Sequence, residues 1–323
     1  MPWRMRFTPD DLVRCRFAIS PLWETEGAVR TLKEPALQAY HVPWLRRTRE
    51  AARALDLTPL WLLMSRRYTP DFLCPPPLGP SASIEDELAR VRATDPEVAR
   101  QEIARSLANT TGAADTPHGR AMLADPARAV RDLTDLYEQV WHTLVAPYWP
   151  RLRAVLEADV AFRARRLADG GLTGLFADIH SSLSWADGTL TLHRPGEHDR
   201  DLGGDGLVLA PSVFVWPDIA AGFDPPWQGT VAYPARGIGG LWQAPQAASE
   251  ALVRLLGANR AALLGGLGEP ASTTALAHRH GLALSSVSAH LAVLRDAGLL
   301  TSRRYGHQVL YERTPLGGAL VGE

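Results

Sequence analysis

A stretch near the C-terminal end combines two side-chain patterns on one predicted helix, residues 284–296, called here the recognition helix. Apolar side chains recur at i, i+4 and i+7 and predict one buried stripe, formed by Val287, Leu291 and Leu294. Small hydroxyl side chains near the helix N-terminus occupy the other side: Ser285, Ser286 and Ser288. Such groups suit the base edges of a major groove, and the positive end of the helix favours nearby phosphates. The pattern therefore predicts contact with a DNA duplex.

The elements around the recognition helix are predicted to hold it against the groove. Ser272 can cap a preceding helix over 273–280, which Gly281 ends, so that two short helices meet at a tight turn. Two helices joined in this way are the signature of a helix-turn-helix. The segments 299–304 and 308–313 then predict two strands around a glycine turn, a β-wing.

Further contacts are expected from side chains close to the three serines. The methyl group of Ala289 can contact a thymine methyl. His290 is expected to pack or hydrogen-bond at the helix edge, with a phosphate contact as the less favoured alternative. The first turn of the preceding helix and the tip of the wing are predicted to contact phosphates or the minor groove through Thr273, Thr274, Arg303, Arg304 and His307.

Residues 247–323 resemble the winged-helix transcription regulators of the ArsR type. Three strings carry the resemblance: Leu256-Gly257-Ala258-Asn259-Arg260, then Leu276-Ala277 with Gly281-Leu282, then Val287-Ser288-Ala289-His290-Leu291 with Leu294-Arg295-Asp296-Ala297-Gly298-Leu299. The resemblance implies a DNA-binding regulator, a homodimer, and repression by occlusion as the default, with activation left open. The longer N-terminal part looks like an uncharacterised domain fused to such regulators in actinomycete-like proteins, which implies no mechanism.

The recognition helix departs from the family pattern at three positions. Leu284 and Ala289 stand where relatives often carry polar or basic residues, so fewer hydrogen bonds to base edges are expected. Ala283 stands where the family usually starts this helix with serine, and the cap is expected to shift to Ser285. Sequence readout is therefore predicted to depend on few hydrogen bonds.

The sequence lacks the ligand sets with which many relatives of this type sense metals. His278-Arg279-His280 replaces the cysteine pattern expected in the first helix of the turn, and two histidines at i, i+2 point to different sides of a helix. In the loop 192–199, a solvated hairpin loop is favoured over a metal site. The sequence has no nucleophile elbow, zinc-protease, phosphate-loop or dinucleotide motif. We therefore predict no metal, no cofactor and no catalytic activity.

Length and composition indicate an ordinary globular protein of two domains. The chain has 323 residues, 46% of them hydrophobic and 21% charged, which fits neither a disordered nor a membrane-spanning protein. Its formal net charge of −1 permits DNA binding without indicating it. The sequence contains no signal peptide and no apolar run of membrane-span length, so we expect a cytoplasmic location. Cys15 and Cys74 make no disulfide framework.

We predict an α+β fold that is mainly α. The N-terminal domain, 1–240, is expected to be helical to about residue 185 and to end in a small β-sheet over about 186–235, with the winged helix-turn-helix over 247–323. Four short strands are expected: 189–193, 206–210, 212–216 and 229–233. The first two of these strands are expected to form a hairpin.

The function predicted from these features is that of a homodimeric repressor that binds double-stranded DNA. Its N-terminal domain is expected to sense a small organic effector. Alternatively, that domain is a ligand-free protein-interaction and dimerisation module, and an enzyme with a DNA-binding appendage is a third, less favoured, alternative. Dimerisation is expected to use the helices over 249–267.

Overall fold

The computed structural model describes residues 2–65, 68–194, 198–222, 225, 227–242, 249–268, 270–305 and 308–322. The chain forms two compact units, each built from two separate stretches of sequence. The first unit contains Met1–Pro147 and Arg165–Pro234, and the second contains Tyr148–Ala164 and Ala235–Glu323. The predicted domains, 1–240 and 247–323, differ from these units over residues 148–164 and 235–240, both of which fall in the second unit.

Helices make up most of the first unit. They are α1 (Pro9–Arg14), α2 (Pro21–Lys33), α3 (Val42–Arg53), α4 (Thr58–Leu63), α5 (Ile84–Arg92), α6 (Pro96–Leu107), α7 (Pro117–Ala124) and α8 (Pro126–Val140). A long helical segment, α9 (Trp149–Phe176), is broken at Gly171, where φ is 59° and ψ is −157°. It contributes its first part to the second unit and the remainder, from Arg165, to the first. None of the described helices has the length and apolar character needed to cross a membrane.

Most of these helices begin where the sequence predicts a start. A hydroxyl or carboxylate side chain accepts a backbone N–H in front of a proline, as at Thr8, Ser20, Asp95 and Asp125. The prolines add a preset φ angle at a position where the missing N–H costs nothing. The predicted helix 126–146 is regular only to Val140, because a π-helical turn over Trp141–Val145 follows it.

Two four-stranded sheets complete the first unit. Its strands are β1 (Trp3–Arg6), β2 (Arg16–Phe17), β3 (Leu183–Ala186), β4 (Thr189–Leu192), β5 (His198–Asp201), β6 (Val208–Ser212), β7 (Ala220–Gly222) and β8 (Thr230–Pro234). The strand orders are β3-β4-β1-β5 and β2-β6-β8-β7. The mainly α fold with a smaller β part is therefore confirmed, although the β part consists of two sheets and includes N-terminal strands.

The predicted hairpin between 189–193 and 206–210 is wrong. β4 pairs antiparallel with β3 and β1, whereas β6 pairs in parallel with β2 and β8 in the other sheet. The predicted strand 212–216 is also wrong beyond Ser212, where β6 ends in a turn. The hairpin was mispredicted because the partners of β4 and β6 include strands near the N-terminus, and the alternation of side chains does not reveal a long-range partner.

The second unit is a small helical core with a three-stranded sheet. Its elements after α9 are α10 (Ile238–Leu241), α11 (Glu250–Leu256), α12 (Ala258–Gly265), β9 (Ala271–Ser272), α13 (Thr273–His280), α14 (Leu284–Asp296), β10 (Leu300–Tyr305), β11 (Gln308–Arg313) and α15 (Pro315–Val321). Leucines from α11, α12, α13 and α14 share one buried cluster, against which Ala154 of α9 also packs. Residues 148–164 thus belong to the same core.

Candidate nucleic-acid interface

A tight turn joins α13 to α14. α13 begins at Ser272, whose Oγ accepts a hydrogen bond from the Ala275 N–H at 3.2 Å. It ends at Gly281, which adopts the left-handed conformation with φ 65°. The following N–H, that of Leu282, donates to the Ala277 carbonyl at 3.0 Å, which satisfies an end carbonyl of the helix. A glycine is favoured at this turn because a side chain at positive φ is strained.

The two faces of α14 differ as the sequence predicts. Val287 and Leu291 are 0% exposed and Leu294 is 1% exposed, so this stripe anchors the helix in the core of the second unit. The opposite face holds the predicted groove residues, all exposed: Ser285, Ser286, Ser288 and Ala289. His290 is half-buried at the edge of that face. The structure therefore brings these five residues together, and their contact with DNA stays a prediction.

The predicted shift of the helix cap to Ser285 is wrong. The cap residue of α14 is Ala283, with φ −64° and ψ 141°, and the helix begins at Leu284. Because alanine has no side-chain acceptor, the first N–H groups of α14 donate no hydrogen bond to the side chain of the cap residue. The backbone at Ala283 already has the extended geometry of a helix cap. Alanine in place of the serine usual in the family therefore removes a hydrogen bond but leaves the start of the helix where it is.

The first helix of the pair contributes two hydroxyls and a structural arginine. Thr273 is half-buried and Thr274 is exposed, both in the first turn of α13. Arg279 donates a side-chain hydrogen bond to the Gly266 carbonyl, and burial lowers its pKa. Burial, followed by the nearby Arg279 charge, also lowers the pKa of His280. These residues join α13 to the end of α12, and no group of three metal-ligating side chains occurs among the described residues.

The wing is the hairpin of β10 and β11. Arg303 lies opposite Leu310 and Arg304 opposite Val309 in the antiparallel register. Both arginines are exposed, and because neighbouring strand residues point to opposite faces, the two guanidinium groups leave the hairpin on different sides. His307, also predicted to contact DNA, lies outside the described residues.

Sequence reasoning missed two elements that support the wing. β9 pairs with β11 through Ala271 and Ser272, so the residue that caps α13 also belongs to the wing sheet. α15 follows the wing, and a side chain at Gly317 would lie 2.2 Å from the Leu299 carbonyl oxygen. A two-residue strand has no periodicity to detect, whereas Thr314-Pro315 before α15 is a helix-start signal that was available.

Comparison with known families agrees with this geometry. Residues 255–303 match the family described as a helix-turn-helix domain, and residues 92–239 match a family of unknown function. The two matches confirm the predicted fusion of an ArsR-type helix-turn-helix with an N-terminal domain of unknown function. They identify the C-terminal part as the DNA-binding part of a transcription regulator. No curated protein and no solved structure matches the chain.

Proposed function

We propose that the protein is a homodimeric transcriptional repressor of the ArsR type, in which α14 enters the major groove of its operator. Ser285, Ser286 and Ser288 contact base edges, Ala289 contacts a thymine methyl, and His290 lies at the groove edge. The N-terminal hydroxyls of α13 and the arginines of the wing contact phosphates or the minor groove: Thr273, Thr274, Arg303, Arg304 and His307.

The observation that carries the proposal is the contrast between the two faces of α14. A helix whose apolar stripe is fully buried is fixed in direction, and its exposed face over the first two turns offers small side chains together with Leu284, which is 53% exposed. Small side chains let the backbone approach the base edges closely. The uncapped first turn adds backbone N–H donors and the positive end of the helix dipole, both of which favour a phosphate.

Dimerisation is proposed through the helices before the turn. Leu255 of α11 is 65% exposed and is therefore available for contact with a second protomer. One recognition helix covers only a few base pairs, so two protomers would place their helices in successive major grooves about 34 Å apart. Covering Leu255 in a dimer would explain its exposure in a single chain.

Two roles remain proposed for the N-terminal domain. In the first, a small organic effector binds there and shifts the equilibrium between DNA-binding and non-binding states. In the second, the domain is a ligand-free interaction and dimerisation module. An apolar cavity lies between the two sheets, lined by Trp3, Met5 and five other apolar residues, and has a volume of about 10 Å³. That volume holds one water molecule, so an effector that bound in this cavity would have to open it.

Thermal-shift screening of the full chain separates these two roles. An effector at 100 times its Kd should stabilise the protein by about 2.7 kcal/mol, whereas a ligand-free module gains nothing from any small molecule. The full chain is required, because a fragment ending at residue 240 would separate residues 148–164 from most of the second unit.

The groove contacts are tested with Ser285→Ala combined with Ser288→Ala. Duplexes selected by the protein from a random pool are compared with unselected duplexes in anisotropy titrations. Each lost base contact should reduce discrimination between the two by about 1–3 kcal/mol. Ser181→Ala, an exposed serine of the first unit, is the matched control and should leave discrimination unchanged. An equal loss on both DNAs would assign the serines to backbone positioning, and absence of duplex binding by the wild type would end the proposal.

A further inference from the structure

Helix α3 of the first unit presents an arginine-rich face. Five of its twelve residues are charged and exposed and give a net charge of +3: Arg46, Arg47, Arg49, Glu50 and Arg53. Arg46, Arg49 and Arg53 stand at i, i+3 and i+7, so they follow one line along the helix. Over seven residues this line is about 10.5 Å long.

The opposite face of α3 fixes the direction of the arginines. Trp44 is 0% exposed, donates its indole N–H to the Leu144 carbonyl at 3.1 Å and packs on Phe214 with ring centroids 4.8 Å apart. Thr48, one turn later, is also buried and donates to the Trp44 carbonyl. Because the apolar side of α3 is held in the core of the first unit, the arginine face points to solvent.

No acidic side chain neutralises this face. In the described part of the chain, none of the four arginines of α3 has a carboxylate within ion-pair distance, whereas exposed arginines on neighbouring helices do. Arg92 pairs with Asp135 at 3.0 Å and Arg100 pairs with Glu97 at 2.5 Å. An unneutralised cationic line on an ordered helix fits a partner that carries a regular row of negative charges.

We propose that α3 is a second duplex-binding surface of this protein, at which Arg46, Arg49 and Arg53 bind the phosphates of duplex DNA. The inference rests on the proposed DNA-binding function. One DNA strand carries a phosphate every 3.4 Å along the axis, so a 10.5 Å line of arginines spans about three of them. A membrane surface is a poorer match, because a membrane-bound helix inserts its apolar side and that of α3 is buried. The contact reads no bases and adds affinity on any sequence.

The test uses the full chain with Arg46→Gln, Arg49→Gln and Arg53→Gln combined. Binding to selected and unselected duplexes is measured by anisotropy between 50 and 200 mM salt. Each phosphate contact contributes about 0.9 to the slope of log K against log salt, so the variant should lose about 2.7. The ratio of the wild-type to the variant binding constant should then fall about 40-fold as the salt rises from 50 to 200 mM, equally on both kinds of DNA.

Two matched variants make the outcome specific. Arg92→Gln, Arg100→Gln and Arg128→Gln together remove the same charge from ion-paired arginines and should leave the slope unchanged. Lysine at the three α3 positions should restore the slope. A slope change below about 0.9, or the same change in the control, overturns the proposal. Wild-type protein that binds no duplex at 50 mM salt would instead refute the DNA-binding function on which the proposal rests.

Discussion

Replacing Glu24 with glutamine should remove a large part of the pH dependence of the stability of the first unit. Glu24 is 1% exposed, and both its carboxylate oxygens accept the Val213 N–H, at 3.0 and 3.1 Å. Burial raises the pKa of this carboxyl from 4.5 to about 7, although hydrogen bonds from Ser212, Val213 and Phe214 act in the other direction. No counter-ion compensates the burial, since the neighbouring charge of Glu26 also raises the pKa.

The sign of the effect follows from which state keeps the proton. The native state holds it up to about pH 7, whereas the unfolded chain releases it near pH 4.5. Stability from this group is therefore complete below pH 4.5 and is lost as the pH rises through 7. Between pH 5 and pH 8 the free energy of unfolding should fall by roughly 2–3 kcal/mol from this group.

The measurement is urea unfolding followed by tryptophan fluorescence, since Trp23 is buried beside Glu24. The difference in the free energy of unfolding between pH 5 and pH 8 should be roughly 2–3 kcal/mol smaller in Glu24→Gln than in the wild type. Glu97→Gln is the control: this carboxylate is exposed, and hydrogen bonds from Arg100 lower its pKa to about 2. Identical pH profiles for the wild type and Glu24→Gln would refute the reasoning that burial dominates here.

Three further predictions concern the second unit. Arg303→Ala and Arg304→Ala should each reduce the salt slope of DNA binding by about 0.9 if its guanidinium contacts a phosphate, and an unchanged slope in an anisotropy titration removes that side chain from the interface. Ala283→Ser should supply the missing cap of α14 and stabilise the second unit by about 1 kcal/mol in thermal unfolding, while no gain would mean that the first turn is already satisfied. Leu255→Glu should shift the protein from dimer to monomer in light scattering after size exclusion. Val13→Glu, at a still more exposed apolar position of the first unit, is the control that should leave the oligomeric state unchanged.

The parts of the fold that sequence predicted are those governed by local rules. Thr8, Ser20, Asp95 and Asp125 mark helix starts because a cap and a following proline act within four residues. The sheets were mispredicted because pairing is not local: β1 joins β4 and β5, almost the whole first unit apart in sequence. The inclusion of residues 148–164 in the second unit was missed for the same reason, since one helical pattern runs through α9 and nothing in its periodicity marks the division.

In the candidate site, the buried stripe of α14 and its exposed serines followed from a 3.6-residue period, and the structure has both. The cap of α14 was misplaced because the expectation followed a serine side chain, whereas the tertiary packing of Val287 fixes where the helix begins. The opposite directions of Arg303 and Arg304 follow from the strand register. The arginines of α3 were visible in the sequence, but only the burial of Trp44 shows that they share an outward face.

The discontinuous make-up of the second unit has a consequence for the biogenesis and breakdown of the protein. Its core needs a segment made before residue 165 and another made after residue 234, so DNA-binding competence can arise only after nearly the whole chain has left the ribosome. A protease nick between the two stretches would leave the pieces associated through the packing around Ala154. The core of the second unit in a nicked chain would then stay assembled until the fragments themselves unfold.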